Sequence, residues 1–231
     1  LYVLPFEDHI HKMNNKDTDK TPDELRESIL YAALVHVPFD GWSDQTLRQA
    51  ADDIGIDYGI VDLAFPKGAI EMIDLYAQHC DVAMLEEAKK LKLDTLKIRE
   101  KITELVKLRT LSELPHKEAA HRTVSFLDMP ANHFASLKIL YRTVDLMWKA
   151  ISDPSTDFNF YTKRITLSAV YTSTFLIWLG DESENSDQTW EFLDRRIENV
   201  MQFEKLKAKC RNKDLNIPDI WRELGKKRFG N

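Results

Sequence analysis

The sequence is poor in residues that interrupt regular structure, with only seven glycines and eight prolines among 231 residues. All-β folds need many turns, so this composition disfavours them. The two cysteines, Cys80 and Cys210, lie far apart and give no disulfide framework, which indicates a reducing compartment. The longest stretch without a charged residue, 165–180, has sixteen residues. A membrane-spanning helix needs roughly 20, so a buried helix is the better interpretation.

Charge is plentiful but unevenly distributed. Hydrophobic residues make up 43% and charged residues 30% of the chain, as in ordinary globular proteins, and the net charge is −6. The segment 205–228 nevertheless carries nine Lys or Arg against three Asp or Glu. An acidic body with a basic end is typical of proteins that meet an anionic surface.

Signals for helix starts follow one another along the first third of the chain. Thr21 is placed as an N-cap, with Pro22 in the first turn and Glu24 positioned for a capping box. After a Gly-aromatic turn, Ser43 and Asp57 begin two shorter helices separated by a glycine turn. This is the helix-turn-helix arrangement, and the sequence from ILYAALVHV to AIEMI resembles the amino-terminal domain of TetR-type regulators.

The pattern remains helical after this region, and no internal repeat of 20 to 50 residues is present. The predicted later helices span about 69–91, 93–114, 116–129, 132–151, 158–179 and 188–209, with Asp157 as the cap of the fifth. The predicted fold is therefore all-α and TetR-like, with about nine to ten helices. It comprises a flexible arm (1–20), a degenerate helix-turn-helix domain (21–80), a larger helical domain (81–209) and a tail helix (210–231).

The helix-turn-helix is unsuited to DNA by its charge. Between Ser43 and Pro66 there are five aspartates and one basic residue, Arg48. DNA binding depends on Lys and Arg that neutralise phosphates, and base reading depends on Arg, Lys, Asn or Gln. The segment Tyr58–Phe65 has none of these. We therefore expect no nucleic-acid partner, and a ligand-responsive transcription regulator is the alternative hypothesis.

No catalytic or metal-binding constellation is predicted. Glu118 and His121 match one Glu-x-x-His unit of di-iron bundles, but such sites need two units and further glutamates. Cys80 follows His79 directly, and neighbouring residues of a helix point apart. We therefore expect no enzyme activity, no catalytic residues, no metal and no cofactor.

A longer resemblance covers most of the chain. The stretch DPSTDFNFYTKR (153–164), with VDLMW before it and DQTWEFLDRRIENVM after it, closely resembles the Coq-nine family of ubiquinone-biosynthesis proteins. The resemblance implies a TetR-like homodimer whose 81–209 domain serves lipid binding and dimerisation, with an apolar cavity for isoprenoid or aromatic lipids. A bound isoprenoid or phospholipid is therefore expected. It also implies a partner, the di-iron hydroxylase of demethoxyubiquinone. By motif match, the residues implied to contact this hydroxylase are Met147, Phe160, Tyr161 and Leu108.

Two further surfaces are predicted from hydrophobic pattern. The helix over 165–179 is apolar nearly all round and must be buried, which suits either a solid core or a cavity wall. The residues predicted to line a lipid cavity are Leu167, Val170, Tyr171, Thr174 and Trp178. In the tail, an apolar side with a basic flank is typical of an interfacial membrane helix or of an ordinary packed helix. The residues predicted to meet the membrane are Ile220, Trp221, Leu224, Lys226, Lys227 and Arg228.

These features predict a peripheral membrane protein. The possible start at Met13 and the lack of arginine before it favour the cytoplasmic side of a bacterial inner membrane. The matrix side of the mitochondrial inner membrane is the alternative.

Overall fold

The structure, a computed structural model, describes residues 20–154 and 158–212, with only the backbone described for 158, 159 and 206–212. The predicted 1–20 arm, the Asp157 cap and the membrane-binding residues of the tail lie outside these ranges, apart from Lys20. The described part of the chain forms nine α-helices joined by short loops and 3₁₀ turns. They are α1 Pro22–Asp40, α2 Asp44–Ile54, α3 Tyr58–Ala64, α4 Ala69–Lys90, α5 Ile98–Leu111, α6 Lys117–Leu127, α7 His133–Ala150, α8 Phe158–Gly180 and α9 Asp187–Asn212.

The amino-terminal helices begin where their capping residues predict. At α1, the Thr21 amide donates to Glu24 Oε2 at 2.8 Å and the Glu24 amide donates to Thr21 Oγ1 at 3.3 Å, which confirms the capping box. The Ser43 hydroxyl accepts the Thr46 amide at 3.2 Å, and Asp57 Oδ1 accepts the Gly59 amide at 2.7 Å. Gly55 ends α2 in the left-handed region at φ 70°, where a side chain would strain the turn.

Helix α5 is shorter than the 93–114 helix predicted from sequence. Leu93–Thr95 forms a 3₁₀ turn, and Lys97 is extended, with φ −71° and ψ 155°. The Lys97 amide donates to Glu100 Oε2 at 2.9 Å, so the helix begins at Ile98. Hydrophobic periodicity alone could not separate this local cap from a continuous helix. The consequence is that residues 93–97 lie outside the helix, and α5 begins after them.

Apolar side chains form two main cores that share α4. The first joins α1, α2, α3 and the first half of α4, and it includes Leu30, Tyr76 and Cys80. The second begins at Met84 on α4 and joins α5, α7, α8 and α9. A smaller cluster packs Trp178 and Leu179 against Ala120. The two halves are thus continuous through a single long helix. No described helix is both long and apolar enough to cross a membrane.

Buried charges lie at the junction of the two cores. Asp81 Oδ1 accepts from Arg109 Nε and from the Thr143 hydroxyl, both at 2.8 Å, and Asp81 Oδ2 accepts from Arg142 Nε at 3.2 Å. Arg109 also donates to Glu113 Oε1 at 2.7 Å. Since Asp81, Arg109 and Glu113 are all buried, each charge depends on its partners. The network fixes α4, α5 and α7 relative to one another.

A second buried carboxylate holds the turn between α8 and α9. Asp181 is 6% exposed. It accepts the amide and hydroxyl of Thr189 at 2.8 and 2.6 Å, and the amide and hydroxyl of Ser183 at 2.9 and 2.5 Å. Burial disfavours the charged form, but these four hydrogen bonds outweigh it and hold the pKa of Asp181 well below its usual range.

We expect Arg109→Leu to lower the free energy of unfolding by about 3–5 kcal/mol, because it leaves the Glu113 carboxylate without its cation and Asp81 with one fewer partner. Urea denaturation followed by circular dichroism measures this loss. The matched control is Arg195→Leu, which breaks an exposed pair with Glu191 at 3.7 Å and should cost less than about 0.5 kcal/mol. Equal losses in the two variants would contradict a structural role for the buried network.

The Asp181 hydrogen bonds predict a defined pH dependence. A depressed folded-state pKa stabilises the protein above the unfolded pKa of an aspartate, about 4, and this contribution is lost as the pH falls below it. Asp181→Asn lacks the titrating group and should be less stable by about 1–3 kcal/mol at neutral pH. The stability difference between the two proteins should shrink below about pH 4. A difference that stays constant with pH would show that ionisation of Asp181 does not stabilise the fold.

Candidate functional site

A cavity of about 770 Å³ opens among the start of α5, the end of α7, the first half of α8 and the later part of α9. Its volume falls within the roughly 300–1,000 Å³ of typical small-molecule sites. Its floor is made by four buried side chains, Ile102, Trp148, Leu167 and Val170. The cavity is therefore apolar at its deepest point, where an aliphatic or isoprenoid chain would lose contact with water.

The walls and rim change in character towards the solvent. Half-buried residues of mixed polarity form the walls: Leu96, Thr162, Lys163, Thr166, Ile197, Val200 and Met201. Exposed residues, mostly charged, form the rim: Lys97, Ile98, Arg99, Glu204 and Lys205. An apolar floor beneath a charged rim matches an amphiphile, with its chain inside and its polar group at the mouth.

Of the five residues predicted to line a lipid cavity, Leu167 and Val170 line this one. Tyr171, Thr174 and Trp178 do not. Burial next to the Arg109 network raises the pKa of Tyr171 well above its usual value. The Thr174 hydroxyl donates to the Val170 carbonyl at 2.8 Å, and the Trp178 ring lies 5.1 Å from the Lys117 ammonium. The face of α8 that carries these five residues is buried along its whole length, but only the first half of the helix lines the cavity.

Sequence reasoning missed the cavity residues that come from other helices. Ile197, Val200 and Met201 lie on a recognisable apolar face of α9. That face predicted burial, but it gave no indication of the open space beside it. Trp148 lies in the VDLMW motif, yet nothing in the motif places its ring at a cavity floor. Neither the apolar face of α9 nor the VDLMW motif shows which helices lie on opposite sides of the cavity.

Aromatic side chains lie at the start of α8, next to this cavity. The rings of Phe160 and Tyr161 meet edge to face with centroids 5.2 Å apart, and the Arg164 guanidinium lies 3.3 Å from the Phe160 ring centroid. Arg164 also donates from Nε to Asp145 Oδ1 at 2.7 Å, which fixes its position. Tyr161 is 61% exposed and Ile165, one turn later, is 70% exposed. These residues form an apolar surface, called here the α8 patch: Phe160, Tyr161 and Ile165.

Two other residues implied to contact the hydroxylase do not reach the surface. Met147 is 0% exposed and Leu108 is also buried, both within the second core. A side chain with no exposed surface cannot contact a partner unless the helices move apart. Of the four residues implied to contact the hydroxylase, only Phe160 and Tyr161 are not buried. Ile165 is exposed beside them. The sequence did not predict this exposure, because the helix is apolar on nearly all sides.

Comparison with known proteins bears on the same region. A model of the COQ9 family matches residues 134–204, which include α7, α8 and most of α9. The human ubiquinone biosynthesis protein COQ9, mitochondrial, is 32% identical over 191 residues, covering 80% of this chain and 60% of the human protein. The chain is homologous to the COQ9 proteins. The corresponding Drosophila melanogaster protein is 30% identical, with 80% of this chain and 57% of that protein covered.

The chain spans about three fifths of the length of the human relative. Its fold is similar to that of a TetR transcriptional regulator from Nitrosomonas europaea, with a TM-score of 0.63 and 23% identity over 77% of this chain and 98% of that one. This likeness confirms the all-α, TetR-like fold predicted from the sequence.

The helix-turn-helix of this COQ9 homologue presents an acidic surface. Arg48, the one basic residue between Ser43 and Pro66, places its guanidinium 4.0 Å from the Tyr58 ring centroid. On α3, where a regulator carries its base-reading side chains, Asp62 and Leu63 are exposed, Leu63 by 82%. Neither side chain is suited to phosphate or to base edges.

The one suggestive histidine motif forms no metal centre. His121 Nε2 lies 3.0 Å from the Leu179 carbonyl oxygen, and Glu118 lies 3.8 Å from the Arg122 guanidinium. Over residues 20–154 and 158–212, no group of three or more His, Cys, Asp or Glu side chains could hold a metal ion. Within these ranges, the cavity is the feature best suited to a ligand.

Proposed function

We propose that this COQ9 homologue is an accessory protein of ubiquinone biosynthesis that binds isoprenoid or aromatic quinone intermediates. It presents them to the di-iron hydroxylase of demethoxyubiquinone and performs no chemistry itself. The observation that carries this proposal is the cavity of about 770 Å³ with its apolar floor, in a chain whose relatives are named for ubiquinone biosynthesis.

The energetics of the cavity support this role. A polyprenyl quinone is stable in the bilayer, so its withdrawal requires another apolar surface. Burial on Ile102, Leu167 and Val170 supplies that surface, and each Å² of apolar area removed from water contributes about 25 cal/mol. The protein's task is thus desolvation and positioning, since the redox chemistry belongs to the hydroxylase.

The proposal includes a peripheral position at a membrane. The rim residues Glu204 and Lys205 on α9 lie in sequence at the start of the basic segment 205–228, which also contains the predicted membrane-binding residues. The relatives' names place them in mitochondria, which supports the matrix side of the mitochondrial inner membrane over a bacterial membrane. A homodimer, as the family resemblance implies, completes the proposed arrangement.

Filling the cavity should abolish lipid binding. Thr166→Trp places an indole on the half-buried wall of the cavity, so lipid that co-purifies with the protein under native conditions should fall to a small fraction of the wild-type amount. Native mass spectrometry measures the bound lipid, and extraction with liquid chromatography identifies it. Thr172→Trp is the matched control, because Thr172 is exposed on the same helix and does not line the cavity.

Two results would count against a lipid-binding role. The first is wild-type protein that carries no lipid and takes up no quinone or isoprenoid. The second is a Thr166→Trp protein that is folded and binds as much lipid as the Thr172→Trp control. Melting temperatures of both variants separate a filled cavity from a misfolded protein.

The α8 patch predicts a separable contact with the hydroxylase. Tyr161→Ala should weaken binding of the purified hydroxylase by at least about five-fold, because exposed aromatic residues contribute strongly to protein interfaces. Its melting temperature should stay within a few degrees of the wild type, since little buried contact is lost. Surface plasmon resonance and a thermal melt measure the two quantities.

Tyr141→Ala is the control for this experiment, because Tyr141 is also an exposed tyrosine but lies on α7 outside the α8 patch. Hydroxylase binding that weakens equally in both variants would argue against a specific contact at the α8 patch. A large drop in melting temperature for Tyr161→Ala alone would assign that residue to the core instead.

A further inference from the structure

The rim of the cavity carries an excess of positive charge. Lys97, Arg99 and Lys205 lie on it, opposed by the single carboxylate of Glu204. All four residues are exposed, so the charges stand at the mouth and away from the apolar floor. This positive rim belongs to a chain whose net charge is −6.

Local pairing does not cancel this charge. Neither Lys97 nor Lys205 forms an ion pair with any described residue. Arg99 approaches Glu100 at 3.8 Å, but Glu100 already accepts the Lys97 amide at 2.9 Å and does not line the cavity. Among the described residues, the only ion pair of these three rim cations is therefore the long contact of Arg99 with Glu100.

The fourth basic residue of the cavity differs from the other three. Lys163, on the half-buried wall, donates to Asp153 Oδ1 at 2.6 Å and lies 5.1 Å from the Trp148 ring centroid. Its charge is compensated, and it closes the wall above the Trp148 floor. The Lys163 charge on the wall is thus paired, whereas the rim at the start of α5 and on α9 is cationic.

Resting on the proposed lipid-binding role, we propose that the cavity accepts amphiphiles with an anionic headgroup as well as quinones, and binds them more tightly than neutral amphiphiles of the same chain. The chain lies on Ile102, Leu167 and Val170, and a phosphate or carboxylate lies at the mouth beside Lys97, Arg99 and Lys205. Lys and Arg bind such oxyanions through charge-assisted hydrogen bonds. An isoprenoid phosphate or an anionic membrane lipid supplies this chemistry, whereas a neutral quinone supplies only the chain and the ring.

Two pairs of probes isolate headgroup charge from chain. Geranylgeranyl monophosphate and geranylgeraniol share an isoprenoid chain, while oleoyl lysophosphatidylglycerol and monoolein share an acyl chain. Calorimetric titration of the delipidated full chain should show each anionic probe binding about ten-fold more tightly than its neutral partner, as expected for several partly screened charge contacts. High salt should reduce this preference and leave the neutral probes unaffected.

Rim variants test which residues are responsible. The double variant Lys97→Gln/Arg99→Gln, and separately Lys205→Gln, should weaken the anionic probes, the double variant by about five-fold, with unchanged affinity for the neutral probes. Lys101→Gln is the matched control, because Lys101 lies on α5 and does not line the cavity. It should leave all four affinities unchanged.

The outcomes separate this inference from the proposed function. A gain for both anionic probes supports a rim that accepts membrane lipids and isoprenoid phosphates alike, and a gain for the isoprenoid phosphate alone supports an isoprenoid anion as the ligand. If the neutral probes bind as tightly as the anionic ones and the rim variants change nothing, charge selection is overturned while lipid binding stands. Failure of all four probes to bind would overturn both.

Discussion

The buried ion network around Asp81 is the constraint on which the rest of the structure depends. Asp81 on α4 accepts from Arg109 on α5 and from Arg142 and Thr143 on α7, so one carboxylate connects three helices. An uncompensated charge in this interior would be costly, which leaves these helices few alternative arrangements. The network also lies where the helix-turn-helix core ends and the second core begins. The network thus holds α5 against α7, and both helices contribute residues to the cavity.

The two halves of the TetR-like fold differ in their surfaces and in their open space. The amino-terminal half keeps the helices of a DNA-binding domain with their caps and glycine turn, but the surface that would meet DNA carries aspartates and an exposed Leu63. The carboxy-terminal half keeps an open space among its helices. That space is lined at its base by Trp148, Leu167 and Val170 and at its mouth by charged side chains.

Local features of the chain were predicted well because they depend on short-range chemistry. The capping box at Thr21, the caps at Ser43 and Asp57, and the glycine stop at Gly55 all lie where the sequence predicts them. The predicted helix over 93–114 was too long. The hydrogen bond from the Lys97 amide to Glu100 starts the helix at Ile98, although the apolar pattern continues across this point. Of the residues predicted to line a lipid cavity, Leu167 and Val170 line the observed cavity, whereas Tyr171, Thr174 and Trp178 are buried away from it. A hydrophobic face identifies burial, but it does not distinguish packed neighbours from empty space.

The sequence by itself determined the helical class, most helix boundaries, the acidic character of the helix-turn-helix and the relationship to the COQ9 proteins, because composition, capping and motif similarity are properties of short segments. Only the tertiary structure decided that Met147 and Leu108 are enclosed while Tyr161 and Ile165 are exposed, since exposure depends on which helices pack against each face. It alone also placed Lys97 and Arg99, at the start of α5, at the same opening as Lys205 of α9. Residues about a hundred positions apart in the chain meet there because the buried network and the two cores bring their helices together, and no local pattern contains that information.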